Sequence, residues 1–240
     1  MMKKLALFLM GSVAPLLFIL MLQESIAGVV IEEVHKDMEG RTSKILRYFS
    51  ESQFRTDHPE EGLTIIIDFK GDRMVMIDHR SKGYVEIRFS KWEKEVGENL
   101  KKSLPQMQPM AKTIFVRKTG ETAFINGFQT EKVQIFAGGE LIEENWVTRD
   151  VDMGEVEKVM EKVAKGFSKD LRAGMKEGQE IYEKLKPHGF PILIKDYTLT
   201  YGLGPITVLE VKKLEKRELR DEIFLPPAGY QRIIPEPPKK

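Results

Sequence analysis

The chain contains no cysteine. That single absence excludes a disulfide framework, a lipid-modified N-terminal cysteine, a thiolate nucleophile and thiolate metal ligation. Histidine is nearly absent as well. His35, His58, His79 and His188 are scattered, and none stands at the spacing of a metal site. Neither sign of charge dominates: 38 basic residues face 37 acidic ones. A nucleic-acid binder normally carries a strong basic excess, so that class is excluded. The recurring catalytic signatures are missing too: no G-x-S-x-G elbow, H-E-x-x-H pair, P-loop or G-x-G-x-x-G occurs. Carboxylates are plentiful, but spacing alone picks out no glycosidase-like pair. The expectation is a protein without cofactor or catalytic set, with an unrecognised hydrolase as the alternative, since fold does not dictate function.

What is present begins at the N-terminus. Lys3 and Lys4 precede an uncharged, mostly apolar run over 5–22, and Ser25 and Ala27 place small residues behind it. This is the three-part pattern of a secretory signal peptide, read here as cleaved between Ala27 and Gly28. An uncleaved anchor is the alternative, because an apolar run of about 18 residues just spans a bilayer. Pro15 and the small-residue exit favour cleavage. Loss of 1–27 removes two lysines and Glu24, leaving a formally neutral chain. Expected boundaries are a signal peptide over 1–27, a domain over 28–233 and a loose Pro- and Lys-rich tail over 234–240.

From Val29 to Phe89 short β-branched and aromatic runs alternate with turn formers. The stretch IIIDFKGDRMVMIDHRSKGYVEIRF, 65–89, concentrates Asp68, Asp72, Asp78 and His79. These match no ligand spacing, whereas Asp and His suit turns in which a short side chain bonds the local backbone. The stretch therefore reads as a three-strand antiparallel meander. Beyond it, Ser90 and Glu93 stand at capping-box spacing, and Trp92, Val96, Leu100 and Leu104 repeat every fourth residue. That predicts a helix over 90–104, stopped by Pro105. Strands return over 113–148, with Asn126-Gly127 and Gly138-Gly139 as hairpin turns. A long helix is expected over 152–186, capped by Asp152. Strands over 190–202 and 205–219, and a closing segment over 222–233, end the fold.

An exported N-terminus, the meander above, a helix, the hairpin TAFINGFQTEKVQIF with ELIEENWVTRDVD, a long helix, GFPILIKDY and the closing DEIFLPPAGY come in a familiar order. This order resembles the bacterial exported proteins of domain of unknown function 4412 (DUF4412). That group is similar in fold to the periplasmic lipoprotein carriers and receptors of the Lol pathway, LolA and LolB. The resemblance covers 30–233 and rests on turn and strand signatures without catalytic content. It implies an α+β fold: a strongly curved antiparallel sheet, an unclosed barrel, with helices covering the concave face. In such carriers acyl chains bind between sheet and helices. The pattern reading agrees, with about eleven strands and two amphipathic helices.

Two functions follow as expectations. One is binding of an apolar ligand, a lipid or acyl chain, in a cleft lined by Met74, Met76, Trp92, Met107, Met110, Phe124, Phe136, Trp146, Met160 and Phe167. Aromatic and Met side chains at such spacings are more often plain core. Met107 and Met110 differ, because they lie on a Pro-broken segment suited to an adaptable lid. The other is an envelope interaction or stress-sensing module that presents the same sheet to a protein partner. Membrane contact would be transient in either case.

Overall fold

The computed structural model describes residues 25–103, 113–151, 176–198, 205 and 207–234. Met107, Met110, Met160 and Phe167, most of the helix expected over 152–186, and the tail beyond Ile234 lie outside the described residues.

Six strands open the fold: β1 (Ser25–Lys36), β2 (Thr42–Ser50), β3 (Gln53–His58), β4 (Leu63–Asp68), β5 (Arg73–Asp78) and β6 (Gly83–Arg88). Helix α1 (Phe89–Ser103) follows. The second set is β7 (Ile114–Ile125), β8 (Phe128–Ala137) and β9 (Glu140–Thr148). Then come α2 (Lys176–Leu185), a 3₁₀ turn, β10 (Phe190–Asp196), β11 (Thr207–Arg220), a second 3₁₀ turn at Asp221–Phe224 and β12 (Gln231–Arg232).

All of the strands join one sheet of twelve, ordered β12-β6-β5-β4-β3-β2-β1-β11-β10-β9-β8-β7. It consists of two antiparallel meanders joined where β1 pairs with β11. The strand beyond the expected eleven is β12, two residues running parallel to β6. Its outer edge and that of β7 do not pair with each other, so the sheet stays open. It is also curved. The β7–β8 tip reaches past β9 and β10 to β11, where the Asn126 amide donates to the Val211 carbonyl at 2.8 Å and to Glu210 at 2.8 Å. Ile125 and Phe128 at that tip pack against the cluster of Val29, Ile31, Phe49, Ile192 and Val211.

Residues 65–89 form the three-strand meander β4–β5–β6, and their polar groups make its turns. Asp68 accepts from Gly71 N–H at 2.8 Å, and Asp78 accepts from Arg80 N–H at 2.8 Å and from the Ser81 hydroxyl at 2.7 Å. Asp72 corrects the capping expectation. It receives both the backbone N–H and the hydroxyl of Ser90, each at 2.8 Å. The cap of α1 thus comes from a neighbouring turn rather than from Ser90 itself, because α1 starts directly at the end of β6. β7, Ile114–Ile125, is one strand with an irregularity between Lys118 and Thr122 around Gly120, whose φ is +80°.

His79 does more than turn the chain. Thr64 donates to Asp57 at 2.6 Å, which uses its only hydroxyl proton. The 2.9 Å contact between Thr64 Oγ1 and His79 Nε2 therefore needs the proton on Nε2. His79 Nδ1 then accepts from the Tyr230 hydroxyl at 2.9 Å. This chain of bonds ties the C-terminal segment to the sheet. Arg73 adds a bond to the Phe224 carbonyl at 3.3 Å.

Candidate functional site

Side chains alternate across a strand, so register assigns each residue to a face. One row runs Val29, Phe49, Phe54, Ile67, Met74, Ile87 across β1 to β6. Its continuation through His35, on the same face of β1, is Leu209, Ile194, Asn145 and Val133. Both described helices pack on this face. Trp92 of α1 meets the cluster of Ile67, Met74 and Phe89, while Ile181 and Leu185 of α2 meet Ile114, Val133, Ile135 and Val147. We call it the inner face.

The two faces are covered differently. On the outer face Ile66, Val75 and Ile77 are 1%, 0% and 0% exposed. The 3₁₀ residues Ile223 and Phe224, with Tyr230, lie over them. On the inner face Phe54, Ile65, Met76, Val85 and Ile87, with Trp92 above them, are all only half-buried. Beneath them Ile67, Met74 and Phe89 are buried. Aromatic contacts stiffen this floor: Phe49 to Phe54 at 5.1 Å, Phe69 edge-on to Phe89 at 5.3 Å, and Phe89 stacked on Trp92 at 5.8 Å. The result is a half-buried apolar surface on the inner face of β3–β6, beside α1.

The structure sorts the residues expected to line a cleft. It brings Met74, Met76 and Trp92 together on the inner face, with Met74 sealed in the floor. Phe136 and Trp146 stand on the opposite face. Phe136 lies opposite Phe115, one position past the inner Ile135–Val116 pair, and Trp146 lies one position past the inner Asn145. There Arg117 stacks on Phe136 at 4.9 Å and Lys132 lies 5.7 Å from the Trp146 ring. Phe124 is 73% exposed on the free edge strand β7, as is Phe115 at 57%.

Neighbouring Glu143 and Glu144 show what the two faces impose. Glu144 points outward. Burial pushes its pKa up, but bonds from Gln134 at 2.9 Å and Tyr197 at 2.9 Å, with the Lys132 ammonium at 3.1 Å, more than offset this and hold it low. Its partner Tyr197 is pushed up to about 12 by burial and by donating to that carboxylate. Glu143 points inward. Burial raises its pKa, the Asn145 amide at 3.0 Å opposes the rise, and the charge of Asp196, directly opposite on β10, adds to it. Asn145 is fully buried, and its Oδ1 meets no donor. Sequence reasoning missed this group. In ELIEENWVT the polar residues look solvent-facing, and Asp196 meets Glu143 only through strand pairing.

Among the described residues no cluster of three or more His, Asp or Glu side chains is arranged to hold a metal ion, and no helix is long and apolar enough to cross a membrane. A family model described as Domain of unknown function (DUF4412) matches residues 29–230. No curated protein matches the chain. Similar solved structures include PNGF-II, at 10% identity and a TM-score of 0.34, with 86% of this chain and 30% of that one covered. Another is MucB in complex with MucA(peri), at 9% and 0.44, covering 87% and 57%. A third is a LolA superfamily protein from Nitrosomonas europaea, at 9% and 0.28, covering 85% and 90%. The chain thus spans under a third of the first of these proteins and just over half of the second.

Proposed function

Because this chain belongs to the family of domain of unknown function DUF4412, whose name supplies no activity, we propose its function from the inner face of the sheet. It is an exported, non-enzymatic protein of one sheet-and-helix domain, and it binds a lipid or acyl chain between the inner face of the sheet and the helices. The observation that carries this reading is the unequal covering of the two faces. The C-terminal segment seals Ile66, Val75 and Ile77 on the outer face, whereas Phe54, Ile65, Met76, Val85, Ile87 and Trp92 on the inner face stay half-buried. Exposed apolar surface of this kind, set in a concave site, is where an apolar ligand gains most. Each methylene buried contributes about 0.8 kcal/mol, so a partly enclosed chain reaches micromolar affinity after association costs. Met107 and Met110 are proposed as its adaptable lid.

Mass spectrometry of organic extracts from natively purified protein tests the reading, together with titration of a fluorescent fatty-acid probe. Lipid in the extract and saturable probe binding are expected. Met107→Asp with Met110→Asp should abolish probe binding without changing circular dichroism or melting. An empty extract and no probe binding by the wild type would refute the carrier reading. A protein-interaction module is the second reading, favoured by Phe115 and Phe124 on the free β7 edge. A stable complex with another envelope protein, free of lipid, would support it.

A further inference from the structure

We propose that Arg47, held by the buried Glu33 at the border of the half-buried apolar surface, receives an anionic head, a carboxylate or phosphate, of the ligand whose chain lies on that surface. The inference rests on the carrier reading and refines it.

Register places Arg47 on the inner face. The row of Ile65, Met76 and Val85 across β4 to β6 runs back through Thr56 of β3 to Arg47 of β2 and Ile31 of β1. Phe54 pairs opposite Phe49, so it stands diagonally across from Arg47, within reach of a long side chain. The charge therefore borders the half-buried surface directly. Glu33, two positions beyond Ile31 on β1, lies on the same face, with its side chain 9% exposed. It accepts from Arg47 Nε at 2.9 Å, while the Arg47 side chain stays 32% exposed. Among the described residues Nη1 and Nη2 of Arg47 meet no acceptor. The outer-face arginines differ. Arg55 is bonded to Asp57 through Nε and donates through Nη1 to the Ile223 carbonyl, and Arg73 donates through Nη2 to the Phe224 carbonyl. Those guanidinium groups hold the C-terminal segment, whereas the terminal nitrogens of Arg47 are left for another acceptor. A buried carboxylate in an ion pair is a weak device for stability, because desolvation takes back much of the Coulomb gain. It does fix the orientation of a guanidinium, whose planar fork matches a carboxylate or phosphate.

The test is calorimetric titration of the exported protein with four ligands of one chain length: decanoate, decyl phosphate, decanamide and decylamine. At least one of the two anions should bind about tenfold tighter than the amide, the order expected of a charge-assisted hydrogen bond. The amine should bind no tighter than the amide. Glu33→Gln removes the competing carboxylate and keeps its bulk, so it should widen the anion preference severalfold. Arg47→Lys keeps a cation beside Glu33 but loses the fork, and should narrow the preference severalfold. Glu33→Gln with Arg47→Gln strands no charge and should erase it. An ion pair that serves stability alone would shift melting in these variants and leave the ratio of anion to amide binding in place, which overturns the proposal. If the double variant fails to fold, the two single variants decide the point. Equal binding of all four ligands, or a preference for the amine, overturns the head site and leaves the carrier reading standing. If none of the four binds, both fall together. Tighter binding of decyl phosphate than of decanoate identifies a phosphate head, and the reverse order a carboxylate.

Discussion

Gly189 joins the 3₁₀ turn after α2 to β10, and its conformation offers a sharp test of how the inner face is assembled. Its φ is +128° and ψ is −170°, a region that residues with a Cβ hardly enter. A Cβ at this position would press into the Thr148 carbonyl oxygen and stand 2.8 Å from the carbonyl carbon. Thr148 is buried in β9, paired opposite Phe190, so its backbone cannot retreat without disturbing the strands that carry Asn145 and Ile192. Gly189→Ala therefore combines backbone strain of about 1–3 kcal/mol with overpacking of about 1–3 kcal/mol. At roughly 3 °C per kcal/mol for a fold of this size, the melting temperature should fall by on the order of 10 °C. Gly127→Ala is the matched control. Gly127 also has positive φ, +91°, but a Cβ there meets nothing within 4 Å. It should lose only the conformational term, about 1 kcal/mol. Thermal unfolding followed by circular dichroism compares the two variants. Equal destabilisation would show that the contact with Thr148 contributes nothing, and the reasoning would fail.

Tyr230→Phe removes the hydroxyl that donates to His79 and should cost about 1 kcal/mol, with faster amide exchange at Ile66, Val75 and Ile77 as the check. Asp72→Ala deprives the start of α1 of both bonds from Ser90 and should cost about 1 kcal/mol, read by denaturant unfolding. Glu143 is raised above its ordinary value, so it favours the native state at low pH and loses that contribution as pH climbs through its folded value. Glu143→Gln should accordingly be more stable than the wild type at neutral pH, and the difference should vanish below about pH 4.5; a pH series of melts measures it. N-terminal sequencing of the exported form should begin at Gly28. Cleavage there would remove Ser25, Ile26 and Ala27 from the end of β1, where they pair with Arg220, Leu219 and Glu218.

Much of the architecture is legible in the local pattern. Alternation, turn residues and a four-residue apolar repeat set the β4–β5–β6 meander, α1 and the Asn126-Gly127 hairpin, because these depend on contacts between near neighbours in the chain. The faces are another matter. A side chain's face is set by parity and register, and one irregularity reverses it downstream. The bulge between β8 and β9, beside Ile142, helps put Glu143 and Asn145 inward. Their outward neighbours Glu144 and Trp146 meet Gln134, Lys132 and Tyr197 instead, partners from elsewhere in the chain. The amino-acid sequence by itself therefore determined that antiparallel strand meanders and amphipathic helices would form, since local periodicity carries that information, while the curvature of the sheet entered only through the family resemblance. Only the tertiary structure decided which apolar row is sealed by the C-terminal segment, which is left half-buried, and which acceptor is left without a donor. Those outcomes arise from pairings between residues far apart in sequence, such as Glu143 with Asp196 and His79 with Tyr230, and local pattern does not encode them.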